Sequence, residues 1–408
     1  MYRSVLVLFA IGAALSGCKG SASKASVANS NTTDTTAVVA AGAGTNSTSD
    51  TASTAPGPAT AQASGATSAP SGGPVPTTQA GSPGSAGAPT VSSEHRKPAV
   101  ATAAATGPTG VNRAPNEMGR IMVLEYHLIG DHNGTYSRER GQFRKDLELL
   151  YDRGYRPVNM SDVLDKKLNL AKGLSPVVFV LDDASPEQFR YIEKNGNLEI
   201  DPTSGIGIWL DFQKTHPDWP NKAVFCLLSG AAAGHNFFGD RGVQGQKSAW
   251  RFRKVKWLAD NGFELCDHTL WHAQLSKYPD AFVQEQIARN AMAIDSAVPG
   301  YRIRSMALPQ GLWPKNRALA TKGSWTDPKT GKTVTYSWPV VFEVTGGPMR
   351  SPYDPAFNPG STPRIQVIGD AIENNINRLE RAGNMYVSDG NPSVVARPSS
   401  PPATTVKR

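Results

Sequence analysis

The feature that most constrains this 408-residue chain is an alternation of apolar runs and amphipathic segments between residues 121 and 387. Seven short runs have the apolar content of buried strands, and they begin at residues 121, 177, 223, 263, 304, 340 and 385. Apolar residues at helical spacing separate several of these runs, as in residues 143–151 and 280–297. This order predicts one globular domain over residues 120–389, built as an incomplete (β/α) barrel. A doubly wound open sheet is the alternative that the alternation leaves open.

The first eighteen residues have the order of a bacterial export signal. A basic residue precedes an apolar run over residues 5–15, which is too short to span a bilayer as a helix. The run ends in Leu15-Ser-Gly-Cys18, which resembles the lipobox of bacterial lipoproteins, where the cysteine is lipidated. We therefore predict a signal peptide over residues 1–18 and a lipid anchor on Cys18, with an ordinary signal peptide or a short buried helix as the alternatives. Lys19, in place of an aspartate, favours the outer membrane in a bacterium with two membranes.

Residues 19–115 have a composition that cannot form a core. The segment consists largely of Ala, Ser, Thr, Gly and Pro, and it contains no Leu, Ile, Phe, Tyr or Trp. Such a chain buries too little apolar surface to offset its conformational entropy, so we expect a disordered tether. Residues 390–408 are rich in Pro, Ser and Thr and are expected to form a disordered tail.

The chain is basic, with a formal net charge of +8 and a pI near 9.3. A positive charge suits either nucleic acid or an anionic envelope surface. The basic residues form no clear stripe, and an exported lipoprotein has little occasion to meet nucleic acid, so we predict no nucleic-acid partner. The predicted partners are a membrane, reached through the lipid anchor, and an envelope glycan.

Two cysteines remain if Cys18 is lipidated, and they fall in neighbouring predicted strands. A disulfide between Cys226 and Cys266 is one outcome in an exported protein. Buried free thiols are the more common outcome for strand cysteines, so we expect Cys226 and Cys266 to be unpaired.

Polar clusters follow the predicted strands directly. Asp182 and Asp183 come after the run at residue 177, and His268 and His272 come after the run at residue 263. The catalytic groups of (β/α) barrels lie at the carboxyl ends of the strands, so we expect these clusters to converge. Two histidines one helical turn apart, with a carboxylate from another strand, form the set of ligands of a catalytic zinc site. Asp183 is then the third ligand, and Asp182 is placed to accept a proton from the attacking water.

These segments resemble the motifs of carbohydrate esterase family 4, the polysaccharide deacetylases. Val180-Leu-Asp182-Asp183-Ala is similar to the family's Thr-Phe-Asp-Asp-Gly motif, and His268-Thr-Leu-Trp-His272 is similar to its His-(Ser/Thr)-x-x-His motif. Val123-Leu-Glu-Tyr-His127 resembles the opening strand of many members, and Ala223-Val-Phe-Cys resembles a later one. The likeness extends over residues 121–389.

The resemblance implies a distorted (β/α)₇ barrel and a divalent metal ion, with Zn²⁺ as the first choice. It also implies removal of acetyl groups from the N-acetylhexosamines of a polysaccharide. Carried over to this sequence, it implies that Asp182 is the general base and that Asp183, His268 and His272 are the metal ligands.

The third motif departs from the family pattern Arg-x-Pro-(Tyr/Phe)-Gly. Here Ala307 stands where the arginine belongs, and Gln310 replaces the aromatic residue between Pro309 and Gly311. Trp313 is close enough in sequence to supply a ring. We therefore predict Pro309, Gln310 and Trp313 as substrate-binding residues.

The family's late histidine, which protonates the departing amine, has no counterpart, because His272 is the last histidine of the chain. Expulsion of an amine needs a proton, and the loss of a general acid costs about 10²–10⁴ in rate. His127, at the end of the first strand, is the predicted substitute. Its alternative role is that of a packed histidine at a strand end.

Three functions compete. The leading hypothesis is a metal-dependent N-deacetylase of an envelope or extracellular polysaccharide. The second is an O-acetyl esterase with the same residues, for which the missing amine-protonating acid matters less. The third is a degenerate barrel that binds a glycan without hydrolysing it, against which the retention of Asp182 and of all three ligands argues.

Overall fold

The computed structural model of the protein describes residues 112–232 and 234–398. The predicted signal peptide, Cys18, nearly all of the predicted tether and the end of the tail lie outside the described residues. Within the described ranges, no helix is both long enough and apolar enough to cross a bilayer.

Strands and α-helices follow one another along the described ranges. The strands are β1 (Met122–Tyr126), β2 (Leu128–Gly130), β3 (Ser137–Glu139), β4 (Tyr155–Pro157), β5 (Ser175–Leu181), β6 (Tyr191–Lys194), β7 (Asn197–Ile200), β8 (Val224–Leu227), β9 (Glu264–Asp267), β10 (Ser305–Ala307), β11 (Lys322–Thr326), β12 (Thr333–Ser337), β13 (Val340–Gly346) and β14 (Thr362–Gln366). The α-helices are α1 (Arg140–Asp152), α2 (Met160–Leu164), α3 (Gly205–Thr215), α4 (Arg251–Asp260), α5 (Asp280–Ala297) and α6 (Ala371–Arg381).

Seven parallel strands form a closed barrel. Their order is β1-β14-β13-β10-β9-β8-β5, and β5 pairs back with β1 from Met122–Val177 to Tyr126–Leu181. The first residues of β5 pair with β4 and its last residues pair with β8, so β4 is an eighth strand beside the closed ring. The closure confirms the predicted (β/α)₇ barrel and excludes the doubly wound open sheet.

One predicted strand is wrong. Residues 385–387 make only single bridges, Arg120 to Met385 and Asn116 to Val387, and the seventh barrel strand is β14 instead. The sequence of β14 is Thr-Pro-Arg-Ile-Gln, and its proline and arginine interrupt the apolar pattern on which strand prediction depends. The chain therefore enters the barrel at the amino-terminal ends of the strands, where residues 116–120 lie against residues 385–387.

Successive residues of each barrel strand alternate between the barrel interior and the surrounding helices. In β5, Val178 and Val180 belong to the interior cluster, whereas Val177 and Phe179 belong to the cluster that packs against the helices. Toward the carboxyl ends of the strands the residues that face the interior are polar instead of apolar. They are Glu125, Asp182, His268 and Arg364.

Cys226 and Cys266 form a disulfide between β8 and β9, so the expectation of two free thiols is wrong. The two residues are direct partners in the parallel pairing, and both side chains are buried in the interior of the barrel. The register of β8 against β9 thus places the two inward-facing cysteines side by side. This register cannot be predicted from the sequence of either strand alone.

Replacing both cysteines, Cys226→Ala with Cys266→Ala, is expected to lower the free energy of unfolding by about 4 kcal/mol. The reason is that the bridge closes a loop across a sequence separation of 40 residues and so restricts the unfolded chain. Denaturant unfolding of the variant, beside wild-type protein with and without reductant, measures the loss. Alkylation of Cys226 and Cys266 in unfolded protein that was never reduced would contradict the bridge.

Candidate metal centre

A cavity of about 280 Å³ opens at the carboxyl ends of the barrel strands. Six of the ten residues in its wall are acidic or carry an imidazole, and the wall consists of Glu125, His127, Tyr136, Asp182, Asp183, His268, His272, Leu308, Gln310 and Val344. Small-molecule sites begin at about 300 Å³. The volume of the cavity therefore lies near the lower limit for a small-molecule site.

Asp183, His268 and His272 each bring a donor atom to one place in this cavity. Asp183 Oδ1 lies 3.3 Å from His268 Nε2 and 3.5 Å from His272 Nε2. All three donor atoms lie within 4.8 Å of one another. Two imidazoles and a carboxylate are a common protein ligand set for a catalytic zinc ion that keeps one position open for water.

The donor atoms of this cluster are free to bind a cation. His268 Nδ1 donates to the carbonyl oxygen of Ala307 at 2.9 Å, so Nε2 is the ring nitrogen that can bind a cation in exchange for its proton. His268 Nε2 and Asp183 Oδ1 are buried and have no hydrogen-bond partner. Buried polar atoms without a partner are rare. A divalent cation would satisfy both atoms, so the residues fit a metal ion.

The electrostatics of the cluster also favour a positive charge. Burial opposes the charged form of His268, but Asp182 and Asp183 raise the pKa of its imidazole to about 9. Burial likewise opposes the ionisation of Asp183, yet His268 and the neighbouring imidazoles hold the pKa of that carboxyl well below its ordinary value. Burial and the nearby His268 lower the pKa of His272 to about 4. His272 is thus neutral at physiological pH, as a metal ligand must be.

The segment that carries the two histidines is an irregular loop, so the expected helical turn is wrong. Residues 268–272 follow β9 without helical structure, and Thr269 and His272 have φ angles of 69° and 67°. Asp267 accepts a hydrogen bond from the Thr269 N–H at 2.8 Å, and Thr269 Oγ1 accepts one from the His272 N–H at 3.1 Å. These bonds, not a helix, set the spacing of the imidazoles. Left-handed backbone of this kind is concentrated at functional sites.

Asp267 anchors this loop to the outer helix layer. Asn290 of α5 donates to Asp267 Oδ2 at 3.0 Å and to the carbonyl oxygen of Leu227 at 2.8 Å. Burial raises the pKa of Asp267 to about 7, although the bonds from Thr269 and Asn290 oppose the rise. The next residue, His268, is therefore positioned through a fully buried network.

An arginine from β14 holds Asp182 beside the ligand cluster. Asp182 is only 2% exposed, and Arg364 Nη1 lies 2.9 Å from its Oδ2 and 3.0 Å from its Oδ1. Burial opposes ionisation, but Arg364 and then His268 keep the pKa of Asp182 below its ordinary value. The ionised carboxylate has its Oδ2 4.0 Å from His268 Nε2. The site thus receives a buried arginine from β14.

His127 lines the same cavity beside Glu125. His127 Nε2 lies 3.5 Å from Glu125 Oε1, and the ring of Tyr136 packs edge-on against the imidazole at 5.1 Å between centroids. Burial lowers the pKa of His127. Burial also raises the pKa of Glu125 to about 8, against the effect of Arg364.

Glu125, His127 and Asp182 also bring donor atoms within 4.8 Å of one another. Arg364 Nε lies 3.5 Å from Glu125 Oε2 and Arg364 Nη1 contacts Asp182, so a guanidinium already supplies a positive charge to this group. We therefore assign the candidate metal ion to Asp183, His268 and His272 alone.

Of the three predicted substrate-binding residues, only Gln310 lines the cavity. It has a φ of 58° in the short turn Pro309–Gly311. Pro309 is buried and does not line the cavity, and Trp313 Nε1 donates to Glu343 Oε1 at 3.2 Å. The aromatic ring in the cavity wall is instead that of Tyr136, which is 59% exposed.

Several residues of the site carried no prediction from the sequence: Glu125, Tyr136, Asp267 and Arg364. A signal existed for Glu125, because it stands two positions before His127 in a strand and so faces the same side. Asp267 directly precedes a predicted ligand. Arg364 carried no signal, because β14 does not have the pattern of a buried strand.

Part of the chain matches a known family. Residues 220–323, which include His268 and His272, match the sequence profile of the polysaccharide deacetylase family. No curated protein shows significant sequence similarity to the chain.

Several solved structures are similar to this chain. A Streptococcus pyogenes deacetylase in complex with acetate shares 14% identity at a TM-score of 0.45, over 64% of this chain and 97% of the other. IcaB from Ammonifex degensii shares 17% identity at a TM-score of 0.44, over 65% of this chain and 100% of the other. A polysaccharide deacetylase from Bacillus cereus shares 16% identity at a TM-score of 0.43, over 64% and 68% of the two chains.

Proposed function

We propose that this protein is a metal-dependent hydrolase that removes N-acetyl groups from an envelope or extracellular polysaccharide. The observation that carries the proposal is the meeting of Asp183, His268 and His272 beside the ionised Asp182 in one cavity. The family match over residues 220–323 supports the same reaction. A metal site with an open position for water, beside a carboxylate that can act as a base, can catalyse amide hydrolysis.

Asp183, His268 and His272 would hold the ion, and Zn²⁺ is our first choice because imidazole and carboxylate ligands suit it. When bound, the ion would polarise the acetyl carbonyl and lower the pKa of a water molecule. Asp182 accepts the proton of the attacking water, since its carboxylate is ionised and fixed by Arg364. Gln310 lines the wall where the acetamido group enters.

The departing amine needs a proton, and we assign its delivery to His127. Its imidazole lines the same cavity as Asp182 and is 13% exposed, so it is accessible from the mouth. The small volume of the cavity suits a substrate that inserts one acetamido group while the rest of the polymer stays outside. The exposed ring of Tyr136 then offers a surface for a sugar at the rim.

We also propose that Cys18, which lies outside the described residues, is lipidated and holds the enzyme at the bacterial cell envelope. The lipobox-like sequence before Cys18 supports this anchor. Two or more acyl chains bind a membrane firmly, whereas one chain binds it weakly. Incorporation of labelled palmitate by the wild-type chain, and by a Cys18→Ser variant, tests the anchor, and equal labelling would refute it.

Removal of the metal is expected to abolish acetate release from N-acetylated glycans, and Zn²⁺ is expected to restore it. The physical reason is that the ion would polarise the acetyl carbonyl and lower the pKa of the attacking water, and Asp182 supplies neither effect. Acetate and free amine are measured across a panel of acetylated polysaccharides, with the chelated and the reloaded protein.

A matched pair of variants completes this test. Asp183→Ala is expected to lose the bound metal, whereas His216→Ala, outside the cavity at the end of α3, is expected to keep it. Activity that persists in metal-free protein would count against the proposal. Release of acetate with new hydroxyls but no free amine would favour the O-acetyl esterase.

A further inference from the structure

Trp271 is an exposed tryptophan that lies beside the ligand cluster and outside the cavity wall. All eight tryptophans of the chain lie within the described residues, and Trp271, at 45% exposure, is the only one of them that is exposed. It directly precedes His272, so the Cα atoms of the two residues are about 3.8 Å apart, yet its side chain does not line the cavity. A large apolar surface left in water beside a site is informative, because such surfaces mark places where a ligand or partner binds.

Two further rings follow Trp271 outside the cavity. The ring centroid of Phe282 lies 5.6 Å from that of Trp271, and the ring of Tyr278 stacks on Phe282 at 4.2 Å between centroids. Tyr278 is 36% exposed, and Phe282, in α5, packs against a buried hydrophobic cluster. We term Trp271, Phe282 and Tyr278 the aromatic strip. The packing of Phe282 holds the strip in place, and its first member is next to a candidate metal ligand.

A fourth ring, that of Tyr136, lies on the other side of the mouth. Tyr136 belongs to the loop between β2 and β3 and contacts His127 at the end of β1, whereas the strip follows β9. In the closed ring of strands, β14, β13 and β10 separate β1 from β9 on one side, and β5 and β8 separate them on the other. The ends of β1 and β9 therefore face each other across the mouth, with the cavity between Tyr136 and Trp271.

The chemistry of the strip suits a sugar chain. A sugar ring has an apolar face of C–H groups, which packs on an aromatic ring, and hydroxyl groups at its edge, which need polar partners. Exposed polar side chains accompany the strip: Asp280 begins α5 between Tyr278 and Phe282, and its Oδ2 accepts a hydrogen bond from Asn316 at 3.1 Å. A lipid tail at this place would take the carboxylate of Asp280 out of water, which is costly. A glycan is therefore the occupant that fits both the rings and the polar groups.

We propose that the aromatic strip binds the glycan beyond the sugar whose acetamido group enters the cavity. The inference rests on the proposed function and adds the path of the polymer, which runs from Tyr136 over the mouth to Trp271 and on to Tyr278. Each ring that a sugar covers is removed from water, so affinity increases with chain length until the strip is covered. Because sugars lie on both sides of the mouth, the substrate is the interior of a linear N-acetylhexosamine chain and not its free end.

The test is the dependence of hydrolysis on chain length. For the Zn²⁺-loaded wild-type chain, kcat/KM for N-acetylated chitooligosaccharides is expected to rise from the disaccharide to the hexasaccharide. In Trp271→Ala, kcat/KM for the hexasaccharide should fall about tenfold further than that for the disaccharide, mainly through KM. Phe252→Ala is the control, because Phe252 is also an exposed ring, at 37%, but it lies in α4 and packs against Phe237. It should leave the ratio between the two substrates unchanged.

Two further variants separate binding of the glycan from damage to the ligand loop. Trp271→Phe keeps a ring beside His272 and is expected to restore most of the preference for the hexasaccharide. Tyr278→Ala changes the strip at a distance of six positions from His272 in the sequence. It is expected to lower the same preference about threefold at unchanged metal content.

Binding is measured separately from hydrolysis, by calorimetric titration of the hexasaccharide into Asp182→Asn protein with and without Trp271→Ala. Binding that Trp271→Ala removes, together with a Zn²⁺-loaded wild-type chain that releases no acetate, would support the strip and overturn the proposed function. Acetate release at one rate for all chain lengths would overturn the strip and leave the proposed function standing. Equal losses on both substrates in Trp271→Ala and in Tyr278→Ala would do the same.

A membrane is the other surface that exposed aromatic side chains contact. Sedimentation of the full chain with phosphatidylglycerol vesicles, with Cys18→Ser to exclude the proposed lipid, distinguishes the two. We expect Trp271→Ala to leave vesicle binding unchanged. Loss of vesicle binding in Trp271→Ala, with binding of the hexasaccharide unchanged, would assign the strip to a membrane and overturn the proposal.

Discussion

Asp182→Asn is expected to lower kcat for acetate release by about 10³-fold while one metal ion per chain remains bound. The amide keeps the shape of the carboxyl and its acceptor oxygen toward Arg364, but it cannot accept the proton of the attacking water. The loss falls equally on amide and ester substrates, because both need an activated water. Steady-state kinetics on both substrates, with metal analysis of the same sample, measure it.

The neighbouring residue provides the contrast. Asp183→Asn removes charge from the ligand cluster, so it is expected to weaken metal binding, and excess Zn²⁺ should restore part of its activity. Added Zn²⁺ should not restore Asp182→Asn. An Asp182→Asn protein within about tenfold of the wild-type kcat would remove Asp182 from the role of general base.

Arg364→Met is expected to lower the free energy of unfolding by about 3–5 kcal/mol, because it leaves the ionised Asp182 buried without its cation. Arg364 is 1% exposed and contacts the carboxyls of Asp182 and Glu125. Without it the pKa of Asp182 should rise, so activity should fall together with stability. Denaturant unfolding with a constant m-value gives the stability change.

A second buried arginine serves as the control. Arg156 pairs with Asp218 at 2.7 Å, but the Asp218 side chain is 40% exposed and water can solvate it when the partner is lost. Arg156→Met is therefore expected to cost about 1 kcal/mol in unfolding free energy from this ion pair. Equal losses in the two variants would show that Arg364 contributes packing and not charge compensation.

The sequence predicted the barrel and the ligand cluster for the same physical reason. Buried parallel strands leave long apolar runs, and the polar residues directly after the runs mark the end of the barrel where side chains converge. Asp182, Asp183, His268 and His272 all follow such runs and meet in the cavity.

The remaining features depend on pairing between distant segments. Arg364 contacts Asp182, although the two residues are 182 positions apart in the sequence. The strand that carries Arg364, β14, contains a proline and an arginine, so its sequence does not have the pattern of a buried strand. The disulfide depends on the register of β8 against β9, which no single strand specifies. The loop from His268 to His272 is shaped by hydrogen bonds that the side chains of Asp267 and Thr269 accept. The spacing of the two histidines predicted a helical turn, which is wrong because spacing does not reveal these bonds.

The direction of the barrel strands has a consequence for how the protein meets a surface. The described chain enters beside residues 385–387, at the amino-terminal ends of the strands, whereas the cavity opens at their carboxyl ends. An attachment that precedes residue 116 would therefore pull on the amino-terminal ends of the strands, opposite the mouth of the cavity. With the anchor that we propose on Cys18, tension would turn the mouth away from the layer that holds the lipid, so glycan beyond that layer would be within reach of the cavity.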